Sequence, residues 1–165
     1  MFLGDYFQNI KDNYKKFFFS GISFDSNKIK KNYIFFAIKG NKKDGNSFIS
    51  SAIFNGAKII ITEKKINGLK NGILFIQSNN IRKLLAEISF KITNKIPNNI
   101  VAVTGTNGKS SIADFYYQIL DLNNKKVASI GTLGIKSKKF KKDLSNTTID
   151  PIQLSKILNK LKKQN

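Results

Sequence analysis

The sequence contains no cysteine and no histidine among its 165 residues. Without cysteine there can be neither a disulfide framework nor a thiolate zinc site. Without histidine the chain lacks the commonest metal ligand and general base in proteins. Any metal ion that this chain holds must therefore be a hard cation bound by oxygen atoms.

Arginine is almost as scarce, although the chain is strongly basic. The formal net charge is +19, yet Arg82 is the only arginine among 29 basic residues. Phosphate and base recognition favour arginine, whose planar fork binds two acceptors at once, and the lysines are spread through every segment. We therefore expect solvated lysines and no nucleic-acid partner, with the basic stretch at 136–143 forming an exposed hairpin tip or loop.

Long apolar runs are also absent. No run approaches the roughly 18 apolar residues that a membrane helix needs, and the N-terminus shows no apolar stretch followed by a small-residue cleavage site. Because 41% of the residues are hydrophobic, the chain can nevertheless bury a core. We expect a globular, monomeric, cytoplasmic protein without membrane insertion, with room for one domain or for one small domain and part of another.

The pattern of the N-terminal half predicts a sheet with a helical crossover. Short apolar and β-branched runs at 33–38, 57–62 and 73–76 are typical of strands. Between the first two runs, residues 46–56 repeat apolar side chains at helical spacing and end at Gly56. Strand, helix and strand in this order favour parallel pairing through a right-handed crossover.

A second α/β segment is predicted after a break at residues 97–99. An amphipathic helix at 80–93 precedes the break, and the apolar run at 100–104 predicts a central parallel strand covered on both faces. The remaining predicted elements are helices at 110–120 and 150–163 and a strand and turn at 126–135. We therefore expect an α/β fold in two parts, a domain at residues 1–97 and the beginning of a second, parallel-sheet domain of the phosphate-loop type at 98–165.

Residues 101–111, with the sequence VAVTGTNGKSS, carry the clearest chemical signal. A strand, a glycine-containing loop and Lys-Ser at the start of a helix can cradle phosphate, because glycine lets backbone N–H groups turn toward bound oxygens and the helix N-terminus adds positive charge. The loop is shorter than the usual G-x-x-x-x-G-K-[ST]. In this geometry Lys109 reaches the β and γ phosphates of ATP, and the Ser110 hydroxyl ligates Mg²⁺. The residues predicted to bind ATP are Gly105, Thr106, Asn107, Gly108, Lys109, Ser110 and Ser111.

The same loop, TGTNGKSS, resembles the ATP loop of the Mur ligases of peptidoglycan synthesis and of folylpolyglutamate synthase, which both join an amine to a carboxylate. Two further stretches favour the Mur ligases. IGTLG at 130–134, followed by SNTTIDPIQL at 145–154, is similar to the GT-x-G and NTTPD motifs of the branch that adds the third residue of the cell-wall peptide. Residues 24–63 are similar to the UDP-binding N-terminal domain of that branch.

The resemblance implies roles for individual residues at the UDP-linked substrate. The matching positions are Phe24 and Ser26 at the uridine end, Asn41, Lys42 and Lys43 in a loop that touches the nucleotide, and Asn146, Thr147 and Thr148 in a loop that holds the muramoyl-peptide. Their short hydroxyl and amide groups can hydrogen-bond uracil, sugar or carboxylate without burying a charge.

Local sequence alone allows plainer interpretations of these segments. Residues 25–27 are typical of a turn, and 146–148 of a capping segment before the following helix. The sequence also departs from the family pattern, with Asn27 where arginine is usual, Asn41 where histidine is frequent and Ile149 where proline is common.

The resemblance further implies a reaction. ATP phosphorylates the D-glutamate γ-carboxylate of UDP-N-acetylmuramoyl-L-alanyl-D-glutamate, and the amine of a diamino acid, meso-diaminopimelate or lysine, attacks the acyl phosphate and expels phosphate. As the catalytic residue, Lys109 neutralises charge on the transferring phosphoryl group. The family's acidic Mg²⁺ ligand, its modified lysine and the region that selects the amino acid have no counterpart in these 165 residues. We therefore expect an N-terminal fragment of an ATP-dependent acid–amino-acid ligase that is inactive by itself.

Two other classes of function remain open. The chain could be part of the ligase that adds the D-alanyl-D-alanine dipeptide, or of a folylpolyglutamate synthase, although the latter usually begins almost directly with its ATP-binding domain. It could instead be a non-catalytic module that binds nucleotide or nucleic acid. Strong salt-dependent affinity for arbitrary DNA, unaffected by a change of Lys109, would favour that module.

Overall fold

Parallel strands form the centre of the N-terminal part of the protein. The computed structural model describes residues 1–8, 10–41, 43–143 and 149–163. The chain divides into two compact units, which meet in sequence between Ile92 and Thr93. Its helices are α1 (Leu3–Tyr6), α2 (Ile49–Phe54), α3 (Ile81–Thr93), α4 (Lys109–Leu122) and α5 (Pro151–Lys163), and its strands are β1 (Gly21–Ser23), β2 (Tyr33–Phe36), β3 (Ala57–Thr62), β4 (Gly68–Lys70), β5 (Ile73–Gln77), β6 (Ala128–Gly131), β7 (Gly134–Ser137) and β8 (Lys141–Lys142). Within the described ranges no helix is long and apolar enough to cross a membrane.

The first unit is built on a five-stranded sheet in the order β1-β2-β3-β5-β4. The pairs β1–β2, β2–β3 and β3–β5 are parallel, and β4 lies antiparallel to β5 at the edge. The central strands β2 and β3 have fully buried side chains at Ile34, Phe35, Phe36, Ile59, Ile60 and Ile61. Such continuous apolar runs are expected where both faces of a parallel sheet are covered. The three predicted strands are confirmed, although β2 ends two residues early, and so is the parallel pairing predicted for the first two, β2 and β3.

The crossover helix is shorter than the range 46–56 predicted for it. Residues Gly45–Phe48 form a 3₁₀ turn, and only Ile49–Phe54 is α-helical. The turn begins where the Asp44 carboxylate accepts the backbone N–H of Asn46 at 2.9 Å. Gly56, with φ +107°, ends the helix as predicted.

Two strands of the first unit were not predicted from the sequence. β1 and β4 have three residues each, and both begin with glycine, so neither gives a clear apolar alternation. Gly21 is the first residue of β1 and lies against the Tyr33 ring. A Cβ on Gly21 would lie only 2.6 Å from Tyr33 Cζ. Close packing of an aromatic ring against glycine therefore fixes a strand that carries almost no sequence signal.

The second unit contains a three-stranded antiparallel sheet, β6-β7-β8, with helices α4 and α5. Its buried apolar side chains include Ile135 on β7 and Leu158 and Leu161 on α5. The basic stretch at 136–143 contributes the end of β7 and the whole of β8, so the exposed loop expected there is confined to the turn between the two strands. The Lys160 ammonium lies 3.6 Å from the centre of the Phe140 ring beside that turn.

The prediction of a strand at 100–104 is wrong for this structure. No described strand pairs with these residues, and Ile100 and Val101 are 56% and 63% exposed. A strand forms when a neighbour satisfies its backbone N–H and C=O groups, and an apolar pattern cannot supply that neighbour. The next helix, α4, forms as predicted but leaves its apolar stripe of Ile112, Phe115 and Ile119 exposed.

Candidate functional site

Gly108 is the last residue of the loop before α4 and the N-cap of that helix. This residue has φ +74°, a left-handed conformation that glycine adopts without the steric cost of a Cβ. Its carbonyl accepts the N–H of Ile112 at 2.9 Å, which begins the helical hydrogen bonding. The first N–H groups of a helix have no partner within it, so the N-terminus of α4 presents donors and partial positive charge to an anion.

The Lys109 side chain folds back over this loop. Its ammonium donates hydrogen bonds to the carbonyls of Gly105 and Thr106, the latter at 2.9 Å. Residues 104–111 are exposed throughout. The seven residues predicted for ATP thus form one continuous, exposed segment that includes the Lys109 ammonium, and loop N–H groups beside a positive charge can bind phosphate oxygens.

A tight hairpin brings a second hydroxyl to the start of α4. β6 and β7 pair as far as Gly131 opposite Gly134, so Thr132 and Leu133 form a two-residue turn. The Thr132 Oγ1 atom lies 3.2 Å from Ser110 Oγ. Thr132 was not among the predicted site residues, although it lies inside the IGTLG motif. The sequence feature that could have indicated this residue is a threonine in a short segment between two glycines.

Polar contacts hold the same hairpin along α4. Lys136 Nζ lies 2.6 Å from Asp114 Oδ1, and Gln118 donates to Asp114 Oδ2 at 2.7 Å. The hydrogen bond from Lys136, and then the bond from Gln118, lowers the pKa of the Asp114 carboxyl below its usual value. Further along the helix, Lys138 lies 3.6 Å from Asp121. These contacts orient the hairpin against the helix that carries the phosphate loop.

The donor atoms at the start of α4 suit a hard cation. Over the described ranges, no group of three or more histidine, cysteine or carboxylate side chains is placed to hold a metal. The Ser110 and Thr132 hydroxyls are oxygen donors, which Mg²⁺ prefers, and Mg²⁺ commonly takes few protein ligands beside phosphate and water. The residues present therefore fit a Mg²⁺ ion that arrives with a nucleotide.

Four residues predicted for the UDP-linked substrate lie after neighbouring strands. Phe24 and Ser26 follow β1, and Asn41 and Lys43 follow β2. Because β1 and β2 are parallel, these segments leave the sheet at the same edge. The carboxyl edge of a parallel sheet is the usual ligand-binding side of open α/β folds.

The segment after β1 is a hydrogen-bonded turn, as its local sequence predicts. Asp25 accepts the N–H of Asn27 at 3.0 Å, and the Ser23 hydroxyl bonds both the N–H and the carbonyl of Asp25. Asn55 donates to the Ser26 carbonyl at 2.9 Å. Ser26 is 7% exposed, and none of these bonds uses its hydroxyl. A turn and a binding role are therefore compatible at this position.

The segment after β2 is a closed loop. Lys39 and Asp44 form an isolated antiparallel bridge, and the N–H of Gly40 donates to the Lys43 carbonyl at 2.9 Å. Arg82, the single arginine, anchors the loop by donating to the Lys39 carbonyl at 3.0 Å. Four of the predicted residues lie outside the described part of the chain: Lys42, Asn146, Thr147 and Thr148.

The parallel sheet of the first unit, and the loop that leads into the N-terminus of α4 in the second, place the chain in the α/β class of proteins. Two family models match the chain: the Mur ligase family, catalytic domain, at residues 19–104, and the Mur ligase middle domain at residues 103–165. The chain belongs to the Mur ligase family.

Relatives within this family carry one particular name. The UDP-N-acetylmuramoyl-L-alanyl-D-glutamate--2,6-diaminopimelate ligase of Rickettsia prowazekii (strain Madrid E) is 37% identical over 157 residues, which are 93% of this chain and 32% of the relative. The enzyme of the same name from Wigglesworthia glossinidia brevipalpis is 38% identical over 93% of this chain and 35% of its own length. A solved structure of a ligase with this name superposes with a TM-score of 0.76 at 27% identity, covering 94% of this chain and 32% of that one. The chain therefore spans about a third of the length of the relatives it matches.

Proposed function

We propose that this chain is the substrate- and ATP-binding part of a ligase that adds 2,6-diaminopimelate to UDP-N-acetylmuramoyl-L-alanyl-D-glutamate. The observation that carries the proposal is the match to relatives of that name over 93% of this chain, at 37% and 38% identity. The phosphate loop and the carboxyl edge of the first sheet give that match a physical basis. In this proposal, residues 1–97 bind the UDP-linked substrate, and residues 98–165 begin the ATP-binding domain.

The proposed ATP site uses the backbone of the loop and two side chains. Amide groups at the start of α4 hold the phosphates, and the Lys109 ammonium neutralises charge on the γ-phosphoryl group as it is transferred. A Mg²⁺ ion bound beside the Ser110 hydroxyl would screen the negative charge of the phosphates. The Lys109 ammonium lies over this same loop, where it donates to the carbonyls of Gly105 and Thr106.

The proposed substrate site lies at the carboxyl edge of the first sheet. Phe24, 40% exposed, offers an aromatic face to uracil, and the Ser26 hydroxyl offers a hydrogen bond. Asn41 and Lys43, in the loop that Arg82 anchors, contact the nucleotide. By their resemblance to the family pattern, Lys42 is a further proposed contact of the nucleotide, and the proposed contacts of the muramoyl-peptide are Asn146, Thr147 and Thr148.

The proposed reaction has two steps. Transfer of the γ-phosphoryl group to the D-glutamate γ-carboxylate gives ADP and an acyl phosphate. The amine of the diamino acid then attacks the acyl carbon, an amide bond forms, and phosphate and a proton are released. Protein nucleophiles are not needed, which agrees with a sequence that has neither cysteine nor histidine. Use of ATP suits the cytoplasm, where we propose that this protein acts.

The first test is calorimetric titration of the chain with UDP-N-acetylmuramoyl-L-alanyl-D-glutamate, with UDP and with ATP in the presence of MgCl₂. Ser26→Ala removes one proposed hydrogen bond to the UDP-linked substrate and leaves the bonds of the turn in place. Its matched control is Ser50→Ala, since Ser50 lies exposed on α2. We expect Ser26→Ala to weaken the substrate about tenfold, the value of one lost hydrogen bond of roughly 1 kcal/mol, and Ser50→Ala to change nothing.

The outcomes separate the two halves of the proposal. If the folded chain binds ATP but not the UDP-linked substrate, the assignment of residues 1–97 is wrong. If it binds the UDP-linked substrate but not ATP, the assignment of the phosphate loop is wrong. If Ser26→Ala and Ser50→Ala weaken binding of the UDP-linked substrate equally, only the proposed role of Ser26 is rejected.

A further inference from the structure

The turn between β6 and β7 places a hydroxyl group directly beside the predicted Mg²⁺ ligand. We propose that Thr132 is a positioning residue that orients the Ser110 hydroxyl toward the Mg²⁺ of bound Mg·ATP. This inference rests on the proposed ATP site and adds a residue to it. The geometric basis is the 3.2 Å separation between Ser110 Oγ and Thr132 Oγ1.

The position of Thr132 is set by the hairpin around it. The turn has two residues between paired glycines, Gly131 and Gly134. Gly134 has φ +86°, and a Cβ there would lie 2.6 Å from the carbonyl oxygen of Lys142 on β8. The third strand therefore packs directly against the base of the turn and restricts where Thr132 can lie.

A second contact fixes the hairpin one helical turn further along α4. Asp114 follows Ser110 by four residues and therefore lies on the same face of the helix. It pairs with Lys136, which follows Thr132 by four residues, at 2.6 Å. Two contacts separated by about 6 Å along the helix hold the hairpin in one orientation. The hydroxyl of Thr132 is thus supported from β7 as well as from its own turn.

The chemistry of two adjacent hydroxyls explains what this support achieves. A serine hydroxyl has one donor and two acceptor lone pairs, and it rotates freely when it has no partner. When Ser110 donates its proton to Thr132, its lone pairs remain available to a cation at the start of the helix. Thr132 then acts through Ser110 and does not need to touch the nucleotide. Valine has nearly the same shape as threonine but cannot accept that proton.

The test compares ATP binding by the whole chain with MgCl₂ and with EDTA, using calorimetry. We expect Thr132→Val to weaken binding of Mg·ATP about fivefold to tenfold, as for one lost hydrogen bond, and to leave metal-free ATP within about twofold of the unmodified chain. Thr132→Ser keeps the hydroxyl and should restore Mg·ATP binding to within about twofold. Leu133→Ala is the control, because Leu133 belongs to the same turn and is 56% exposed.

A double-mutant cycle decides whether Thr132 acts through Ser110. In a Ser110→Ala background, Thr132→Val should cause no further loss of Mg·ATP affinity, since coupled residues are not additive. Additive losses, equal losses with and without Mg²⁺, or failure of Thr132→Ser to restore binding would each overturn the inference. Thr132→Ala replaces the valine variant if circular dichroism finds the latter unfolded. Absence of ATP binding by the unmodified, folded chain would instead reject the proposed function itself.

Discussion

The Asp114 carboxylate lies 2.6 Å from the Lys136 ammonium and joins α4 to β7. The two side chains are 22% and 33% exposed, so water only partly screens the pair. Helix α4 begins at Lys109, directly after the loop proposed to bind ATP, and β7 begins at Gly134, directly after the turn that carries Thr132. The pair therefore stabilises the arrangement of the candidate site without being part of it.

The Asp114–Lys136 pair predicts a pH dependence of stability. Lys136, followed by Gln118, lowers the pKa of Asp114 in the folded protein, whereas in the unfolded chain an aspartate titrates near about 3.9. A carboxyl with a lowered pKa contributes stability above the unfolded pKa and loses it as the pH falls through the folded pKa. We expect Asp114→Asn to lower the urea midpoint at pH 6, and the difference from the unmodified chain to shrink at pH 3.

Asp12 provides the control for that experiment. Its pKa is also lowered, by a hydrogen bond from Lys15 and by the charge of Lys15, but its side chain is 92% exposed. Because water screens the pair, Asp12→Asn should change the urea midpoint less than Asp114→Asn does at pH 6. A difference between Asp114→Asn and the unmodified chain that stays constant from pH 6 to pH 3 would contradict the assigned cause.

A second prediction concerns the lysine of the phosphate loop. Lys109→Met removes the ammonium and keeps a side chain of similar length, so we expect ATP affinity to fall by about tenfold or more, the usual scale for a charged hydrogen bond. Lys125→Met is the matched control, because it makes the same change of charge at an exposed position just beyond α4. Calorimetry measures both variants. If the two lose affinity equally, attraction by the net charge of +19 explains ATP binding, and a specific site does not.

A third prediction separates backbone strain from binding. Gly108 and Gly72 have nearly the same positive φ, +74° and +76°, and nothing lies within 4 Å of a Cβ built on either residue. Alanine at either position should therefore cost a similar free energy of unfolding, about 1 kcal/mol. Only Gly108→Ala should also weaken ATP, because it distorts the loop at the start of α4. Loss of ATP affinity in Gly72→Ala would mean that the measurement reports general destabilisation.

The sequence predicts the first unit better than the second, for a physical reason. The runs around Ile34 and Ile60 are buried on both faces, so their apolar character follows directly from their environment. Local side chains also hold the starts of α3 and α5, where Asn80 and Asp150 accept the N–H groups of Lys83 and Gln153. The strand predicted at 100–104 fails because a strand depends on neighbours that lie elsewhere in the chain.

Thr132 could not be predicted as part of the site for a related reason. The phosphate loop is local, and its residues follow one another from Gly105 to Ser111. Thr132 lies 22 residues from Ser110 and reaches it only because a two-residue turn reverses the chain and an ion pair aligns the hairpin. Sequence patterns describe local structure well, whereas this contact depends on how β6 and β7 pack on α4.

A final prediction concerns the exposed apolar stripe of α4. Phe115 is 61% exposed, whereas Leu158 on α5 is 8% exposed. Phenylalanine and serine have similar helix propensities, so Phe115→Ser should change the free energy of unfolding by less than about 0.5 kcal/mol, as is usual at surface positions. Leu158→Ala removes buried methyl groups and should cost about 2 kcal/mol or more. Urea denaturation at two protein concentrations measures both. An exposed ring has no buried area to lose. If Phe115→Ser lowers the free energy of unfolding as much as Leu158→Ala does, and lowers it more at the higher protein concentration, then a second copy of the chain covers the stripe.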